Sequence, residues 1–259
     1  MLGALADLGS GLAHWRTSYL LALQDITLRY RRSVLGPFWI SASLVVSVMA
    51  LAYVFSSVFQ QPLEGYIGWV AGGMLAWQLV SGVMNEACQS VIMHTAYLQN
   101  VPLPLSVIGA RTAIRDGIIF LHNAIAIIGV LVVFGLPMTP TAFLIIPGAL
   151  LIMLVGFFAA LLLGPICVRF RDVPQAVTSA LQVIFYLTPI FWQPHEGSHR
   201  PIFTTANPFY HLVQLIRAPL LGEQPTLLDW QFSWWTCAVF AVLAMFCVSA
   251  TRKHVTLWL

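Results

Sequence analysis

Apolar positions along this chain run in long unbroken blocks, with polar residues gathered between them. Six stretches carry no charge: 34–59, 66–85, 118–136, 141–168, 173–192 and 230–250. A membrane-spanning helix takes about 20 apolar residues, so all six qualify, the third narrowly. The first and fourth are long enough to tilt or to extend beyond the hydrocarbon. The expectation is an all-α integral membrane fold with six transmembrane helices. Ahead of the first span, Leu12, Trp15, Tyr19, Leu23, Ile26 and Tyr30 recur at three- and four-residue steps and share one helical face. This predicts an N-terminal interfacial helix with that face in lipid; the competing reading packs it on protein. Between the fifth and sixth spans, 203–220 is too apolar for a solvated loop, yet it holds Asn207, Pro208, His211, Gln214, Arg217 and Pro219. Two outer re-entrant half-helices fit this better than a seventh crossing.

The chain reads as one transmembrane domain, 1–259. It divides into an interface helix (1–33), five spans (34–192), an outer loop with the half-helices (193–229), a sixth span (230–250) and a tail (251–259). Composition agrees: 59% of residues are apolar and 8% charged, against about 25% charged in soluble domains. No cleaved signal peptide is read at the N-terminus. Six spans put both termini on one side, with Arg16, Arg29, Arg31, Arg32, Arg111, Arg115, Arg169, Arg171, Arg252 and Lys253; Arg200 and Arg217 fall on the other. That asymmetry predicts a multi-pass membrane protein with both termini in the cytoplasm.

Charge placement also bears on chemistry. Asp25, Glu86, Asp116 and Asp172 are read at span ends or in cytoplasmic loops, and Glu64, Glu196, Glu223 and Asp229 outside. No proton or sodium relay is visible in the spans. The histidines are scattered; His195 and His199 are four apart, but Pro194 and Gly197 spoil a helical metal pair. Cys88, Cys167, Cys237 and Cys247 have no ligand spacing and read as packing residues. No catalytic residue, metal ligand or cofactor is expected in this chain, and no nucleic-acid partner. There is no phosphate-binding G-x-x-x-x-G-K-[ST] loop, and Lys253 is the only lysine. Energy from ATP would have to come through a partner.

Two features have open readings. Arg29, Arg31 and Arg32 stand directly before Leu35-Gly36-Pro37, and no charge follows until Glu64. They hold that end in the cytoplasm, or they meet an anionic ligand as it enters. The aromatics Trp39, Tyr53, Phe55, Phe59, Tyr66, Trp69, Trp77, Phe185, Tyr186, Phe191 and Trp192 either form an interfacial belt or line a canal whose flat rings contact sugars.

The run RYRRSVLGPFW (29–39), then YLQNVPLPLS (97–106), RFRDVPQ (169–175) leading to LTPIFW (187–192), and NPFYHLVQLIRAPLLG (207–222) occur in this order. Together they resemble the permeases of type-2 ABC exporters, and more narrowly those exporting O-antigen and other lipopolysaccharide polysaccharides, related to capsule and teichoic acid exporters. The resemblance implies a homodimer bound to two copies of a cytoplasmic ABC ATPase, which holds ATP and Mg. It implies a lipid-linked polysaccharide moved from cytoplasm to periplasm. Arg29, Arg31, Arg32, Leu35 and Gly36 would frame the entrance for its headgroup. Tyr97, Leu98, Gln99, Asn100 and Val101 would form the main ATPase-coupling helix, with Arg171 and Asp172 in the second contact. A capsule or teichoic acid exporter, a small-molecule efflux permease of the same superfamily, and a membrane enzyme acting on polyprenyl phosphates are the rivals; the dispersed acids and histidines argue against the last.

Overall fold

A computed structural model describes residues 2–31, 36, 38–101, 103–137, 139–194 and 202–251; side chains 2–6, 12, 29–30, 96 and 202–203 are outside the description. Of the expected entrance residues, Arg32 and Leu35 therefore lie outside the described residues, as does the Arg29 side chain. So do all but the first residue of the predicted tail, 251–259, and the His195–His199 pair.

Two helices open the chain, α1 (Leu2–Ala13) and α2 (Trp15–Tyr30). There follow α3 (Phe38–Val58), α4 (Leu63–Gln89), a 3-10 turn (Ile92–His94), α5 (Thr95–Asn100) and α6 (Leu105–Val133). A second 3-10 turn (Pro140–Leu144) runs into α7 (Ile145–Arg169), and α8 (Val173–Leu187), α9 (Ile202–Thr205), α10 (Pro208–Leu220) and α11 (Leu227–Thr251) complete the chain. No strand occurs among the described residues. Among the described residues, five helices are long and apolar enough to cross a membrane: α3, α4, α6, the second 3-10 turn with α7, and α11.

The fifth predicted span differs. Its helix, α8, has 15 residues, about 22 Å at the usual rise, against a hydrocarbon thickness of about 30 Å. It stops because Thr188 precedes Pro189, and the residue before a proline is pushed out of helical geometry. The third span differs in the other direction. Its helix begins at Leu105, so residues read as a cytoplasmic connection form its first turns. The charged residues there are paired with carboxylates: Arg111 with Asp25 and Glu86, Arg115 with Glu86 and Asp116. At the far end Gly135, with φ +72°, takes the left-handed conformation that closes a helix.

The N-terminal segment is two helices, not one. Asp7 of α1 caps α6 across space: its carboxylate accepts from Ser106 N at 2.9 Å and Leu105 N at 3.1 Å. These amides have no partner inside their own helix. Helix α2 also packs on α6, but through Ser18, Leu21 and Ala22. Trp15 and Tyr19, on the stripe expected to be apolar, remain exposed.

At the centre is α4, which packs against α3, α6, α7, α8 and α10. Small residues let its neighbours come close, the usual device where helices meet in lipid. A Cβ on Gly156 of α7 would stand 2.6 Å from Val83 Cβ, and one on Gly72 would meet Arg217 Cγ at 3.0 Å. Helix α10 is tucked against α4, α7 and α11, and its polar stripe points inward. Arg217 is fully buried. Its guanidinium lies 3.7 Å from the Trp69 ring centroid and donates to Gln214 Oε1 and to the Pro189 carbonyl. The His211 ring bonds Asp229 Oδ1 at 2.7 Å and the Thr205 carbonyl at 3.0 Å, and stacks on Phe232. Asp229 Oδ2 accepts from Thr226 N and Oγ1 at the start of α11. The segment between α8 and α11 is thus clamped to the bundle by buried polar contacts.

Candidate functional site

A cavity of about 310 Å³ lies between α3, α4 and α6. Its wall is polar for so apolar a molecule: Gln78, Asn85 and Glu86 from α4, Arg115, Asp116 and Asn123 from α6. Asn123 Nδ2 donates to Gln78 Oε1 at 3.1 Å, and Ser41 Oγ of α3 donates to Asn123 Oδ1 at 2.8 Å. Helix α8 reaches the rim, where Thr178 Oγ1 donates to Asn85 Oδ1 at 2.8 Å. Buried Arg115 donates to Asp116 Oδ1 at 2.9 Å and lies 3.0 Å from Glu86 Oε2.

The charge network continues away from the cavity. Arg111, one helical turn before Arg115, pairs with Asp25 of α2 and lies 3.6 Å from Glu86. His94, in the 3-10 turn before α5, stands 3.8 Å from the same Asp25 carboxylate and contacts the Ser90 carbonyl at 2.8 Å. Burial, and after it the Arg111 charge, hold the His94 pKa below its ordinary value. One chain of contacts therefore joins the cavity wall to α2 and to the foot of α5. Sequence reasoning left these residues in loops or at span ends. A usable signal was present: Arg111 and Arg115 are four apart, after Pro104 and ahead of an unbroken apolar helix.

Two helices beside the cavity are poorly covered. Helix α8 buries only Leu181 and exposes Gln175, Thr178, Ser179 and Gln182. Helix α3 buries one narrow stripe, Ser41, Leu44, Val48, Ala52 and Ser56, and exposes Phe38, Trp39, Ser43 and Tyr53. Polar side chains on a bilayer-depth helix are costly against lipid and face protein or water instead.

The candidate aromatics separate into two groups. Trp39 and Tyr53 are 58% and 72% exposed on the uncovered face of α3. The others gather at the end of the bundle away from the charge network. Phe55 meets Phe191 at 4.9 Å between centroids; Phe191 meets Phe185 at 5.7 Å and Tyr186 at 6.3 Å. Phe59 lies on Phe55 and Tyr66, and Trp77 on Phe185. Through Phe191 these rings bridge α3 to α8. Tyr66, Trp69 and Trp77 belong to packing within the protomer: Tyr66 is 1% exposed with its hydroxyl on the Phe191 carbonyl, and Trp69 Nε1 donates to the Trp192 carbonyl while its face carries Arg217. Trp192 Nε1 donates in turn to the Tyr186 carbonyl.

At the opposite end, α5 is anchored by buried Leu98, while Tyr97, Gln99, Asn100 and Val101 face outward. Gln24 of α2 donates to the Tyr97 hydroxyl at 3.4 Å. The second connection presents Phe170, Arg171 and Asp172, all exposed. Between the two connections is a concavity of about 420 Å³, with Ile92 and Thr95 on one side and Arg171 and Pro174 on the other. Arg31 is exposed, and Gly36 takes φ +53°, a conformation that favours glycine.

No family model matches the chain. Curated relatives do. Over 175 residues it is 25% identical to the O-antigen export system permease protein RfbA of Klebsiella pneumoniae, covering 65% of this chain and 66% of that protein. A second Klebsiella pneumoniae protein of that name is 25% identical over 174 residues, with the same coverage. The protein of that name from Myxococcus xanthus is 22% identical over 205 residues, 76% of this chain and 77% of the relative. The chain thus spans just under two thirds of the length of the Klebsiella proteins. The resemblance read from the four motifs is borne out, and the protein is a multi-pass membrane protein.

The charge network yields a measurable expectation. Glu86→Gln leaves two buried arginines short of a carboxylate and should destabilise the protein by about 3–5 kcal/mol. Arg115→Gln should cost a similar amount. Because the two side chains share one contact, the double variant should lose less than the sum, with a coupling of about 0.5–3 kcal/mol. Thermal unfolding of the purified variants in detergent checks this; additive losses would show that the pair does not interact.

Proposed function

We propose that this chain is the membrane-spanning subunit of an ATP-driven exporter that carries a lipid-linked polysaccharide, of the O-antigen class, out of the cytoplasm. The observation that carries this reading is the uncovered polar face of α8 beside the amide-lined cavity, with the aromatic cluster beyond it. In a lone protomer that face would meet lipid. In a homodimer it meets the same face of the second copy and encloses a canal. The hydroxyls of a passing polymer find amide and hydroxyl partners along it, and its sugar rings find flat aromatic faces such as Trp39, Tyr53 and Tyr186. Such contacts are individually weak, which suits a chain that must slide.

The remaining assignments follow from this frame. Helix α8 crosses the bilayer together with the bent segment 188–194 that follows it, making six spans with both termini in the cytoplasm; the distribution of arginines supports that sidedness. Helices α9 and α10 enter from the outer face, where burial against α4, α7 and α11 supplies the partners that lipid cannot. The chain is a transport subunit of the bacterial inner membrane and not an enzyme. ATP and Mg reside on two copies of a cytoplasmic ATPase, which docks on the concavity between α5 and the 169–172 connection. Closure of the ATPase pair pushes on α5, and the His94–Asp25–Arg111–Glu86–Arg115 contacts pass that displacement to the cavity wall. Arg29, Arg31 and Arg32 receive the diphosphate headgroup, since a guanidinium binds phosphate oxygens in pairs.

In a strain lacking this protein, surface polymer should be lost and lipid-linked polymer should accumulate inside, with complementation restoring both. The accumulated species would identify the cargo. Unchanged surface polymer, with no redundant exporter present, would overturn the reading. In the complex, Tyr97→Ala should lower substrate-stimulated ATP hydrolysis by about tenfold, the loss expected when roughly 1.4 kcal/mol of coupling is removed, while leaving the subunits associated on purification. Unchanged stimulation would exclude α5 as the point of contact.

A further inference from the structure

On the other side of the bundle, α6 and α7 diverge around a groove of about 810 Å³ that the exporter reading does not use. Its floor is Leu75 of α4, Ala149 of α7 and Leu220 of α10; Leu121 of α6 and Leu150 of α7 stand exposed on its two walls. Thr139 is the one polar side chain in its lining, and no charged residue lines it. The α6 wall runs over 114–128, about 21 Å at 1.5 Å per residue. That exceeds one leaflet of hydrocarbon, about 15 Å, and falls short of the whole core, about 30 Å.

We infer that this groove is a binding site for the two acyl chains of one phospholipid of the leaflet farther from the charge network, with a zwitterionic ethanolamine headgroup at the Thr139 end. Size fits the chains. An apolar cavity of about 150 Å³ takes the six carbons of benzene, so by the same ratio this groove has room for about 32 carbons, two acyl chains of about 16 each. A helix of a second copy is a poor occupant, because a helix with its side chains is about 10–12 Å across and the floor is sealed by side chains from three elements. Charge selects the headgroup. Gly222 closes against Thr139, where an added Cβ would stand 3.2 Å from Thr139 Cγ2, and the next residue, Glu223, is exposed. Its carboxylate repels a headgroup of net negative charge and attracts an ammonium. Thr141 Oγ1 donates to the Pro219 carbonyl and Thr139 Oγ1 to Thr141, so the Thr139 oxygen is left as an acceptor for the ammonium.

The test is native mass spectrometry of the full chain, purified in mild detergent and titrated with dioleoyl phosphatidylethanolamine or dioleoyl phosphatidylglycerol. The wild type should retain one phosphatidylethanolamine per protomer in preference to phosphatidylglycerol. Ala149→Phe fills the floor and Ala124→Phe the half-buried wall; each should weaken retention about tenfold, the loss of roughly two buried methylenes. Ile125→Phe, on an exposed face outside the groove, should leave it unchanged. If Ala149→Phe does not fold, Ala124→Phe decides alone. Equal retention in wild type and Ala124→Phe would overturn the site, and so would a groove occupied by a second copy of the chain. Equal retention of the two lipids would overturn the headgroup assignment. None of these outcomes depends on the polymer being exported, so the exporter reading stands or falls separately.

Discussion

A guanidinium held inside a helix bundle in lipid has no water to fall back on, so it must be paired with carboxylates or be given neutral acceptors and a ring face. Both solutions occur here, and the rest of the structure depends on them. Arg111 and Arg115 are one turn apart on α6, and their carboxylate partners come from three places: Asp25 on α2, Glu86 on α4 and Asp116 beside them. Because the partners are distributed, the network fixes the N-terminal helix and the foot of α5 to the two central helices. Burying a charge is expensive unless its partner is also in place. That requirement makes the cluster a register for how these elements sit, and a stiff link between the foot of α5 and the cavity.

At the other end, the same physics is met by a different residue. Arg217 is fully buried, but its partners are a ring face, a side-chain amide and a backbone carbonyl. Cation–π contact and carbonyl acceptance neutralise nothing, yet they satisfy donors that lipid cannot. The arrangement holds α10 against α4 at Gly72 and keeps the aromatic cluster in place above the cavity. Helix α4 thus connects two polar anchors, one ionic and one aromatic, through an apolar middle.

Much of this was readable from residue order. Spans 66–85 and 230–250 appear as helices that extend a few residues beyond the predicted ends, because an apolar block with no breaker leaves little choice. The start of α6 was not readable in that way. Arg111, Arg115 and Asp116 look like loop residues until the partners of the two arginines are known, and two of those partners, Glu86 and Asp25, are 25 to 86 positions away in sequence. The orientation of the aromatics was hidden for a related reason. Tyr66 and Tyr53 are both rings in apolar helices, and only packing decides that one is core and the other exposed. The break at His14 has no proline to mark it, whereas the stop at Thr188 does.

The central claim is that the polar faces of α8 from two copies enclose a water-filled path. Single cysteines at Ser179 and Gln182, in a chain whose four native cysteines are replaced, would be exposed to a water-soluble, membrane-impermeant maleimide in inverted membrane vesicles. Val132 and Leu150, exposed on the opposite side of the bundle, serve as lipid-facing references. The account predicts fast labelling at 179 and 182 and little at 132 and 150. Labelling at 179 and 182 as slow as at the references would mean that α8 faces lipid, and the canal would have to be sought elsewhere.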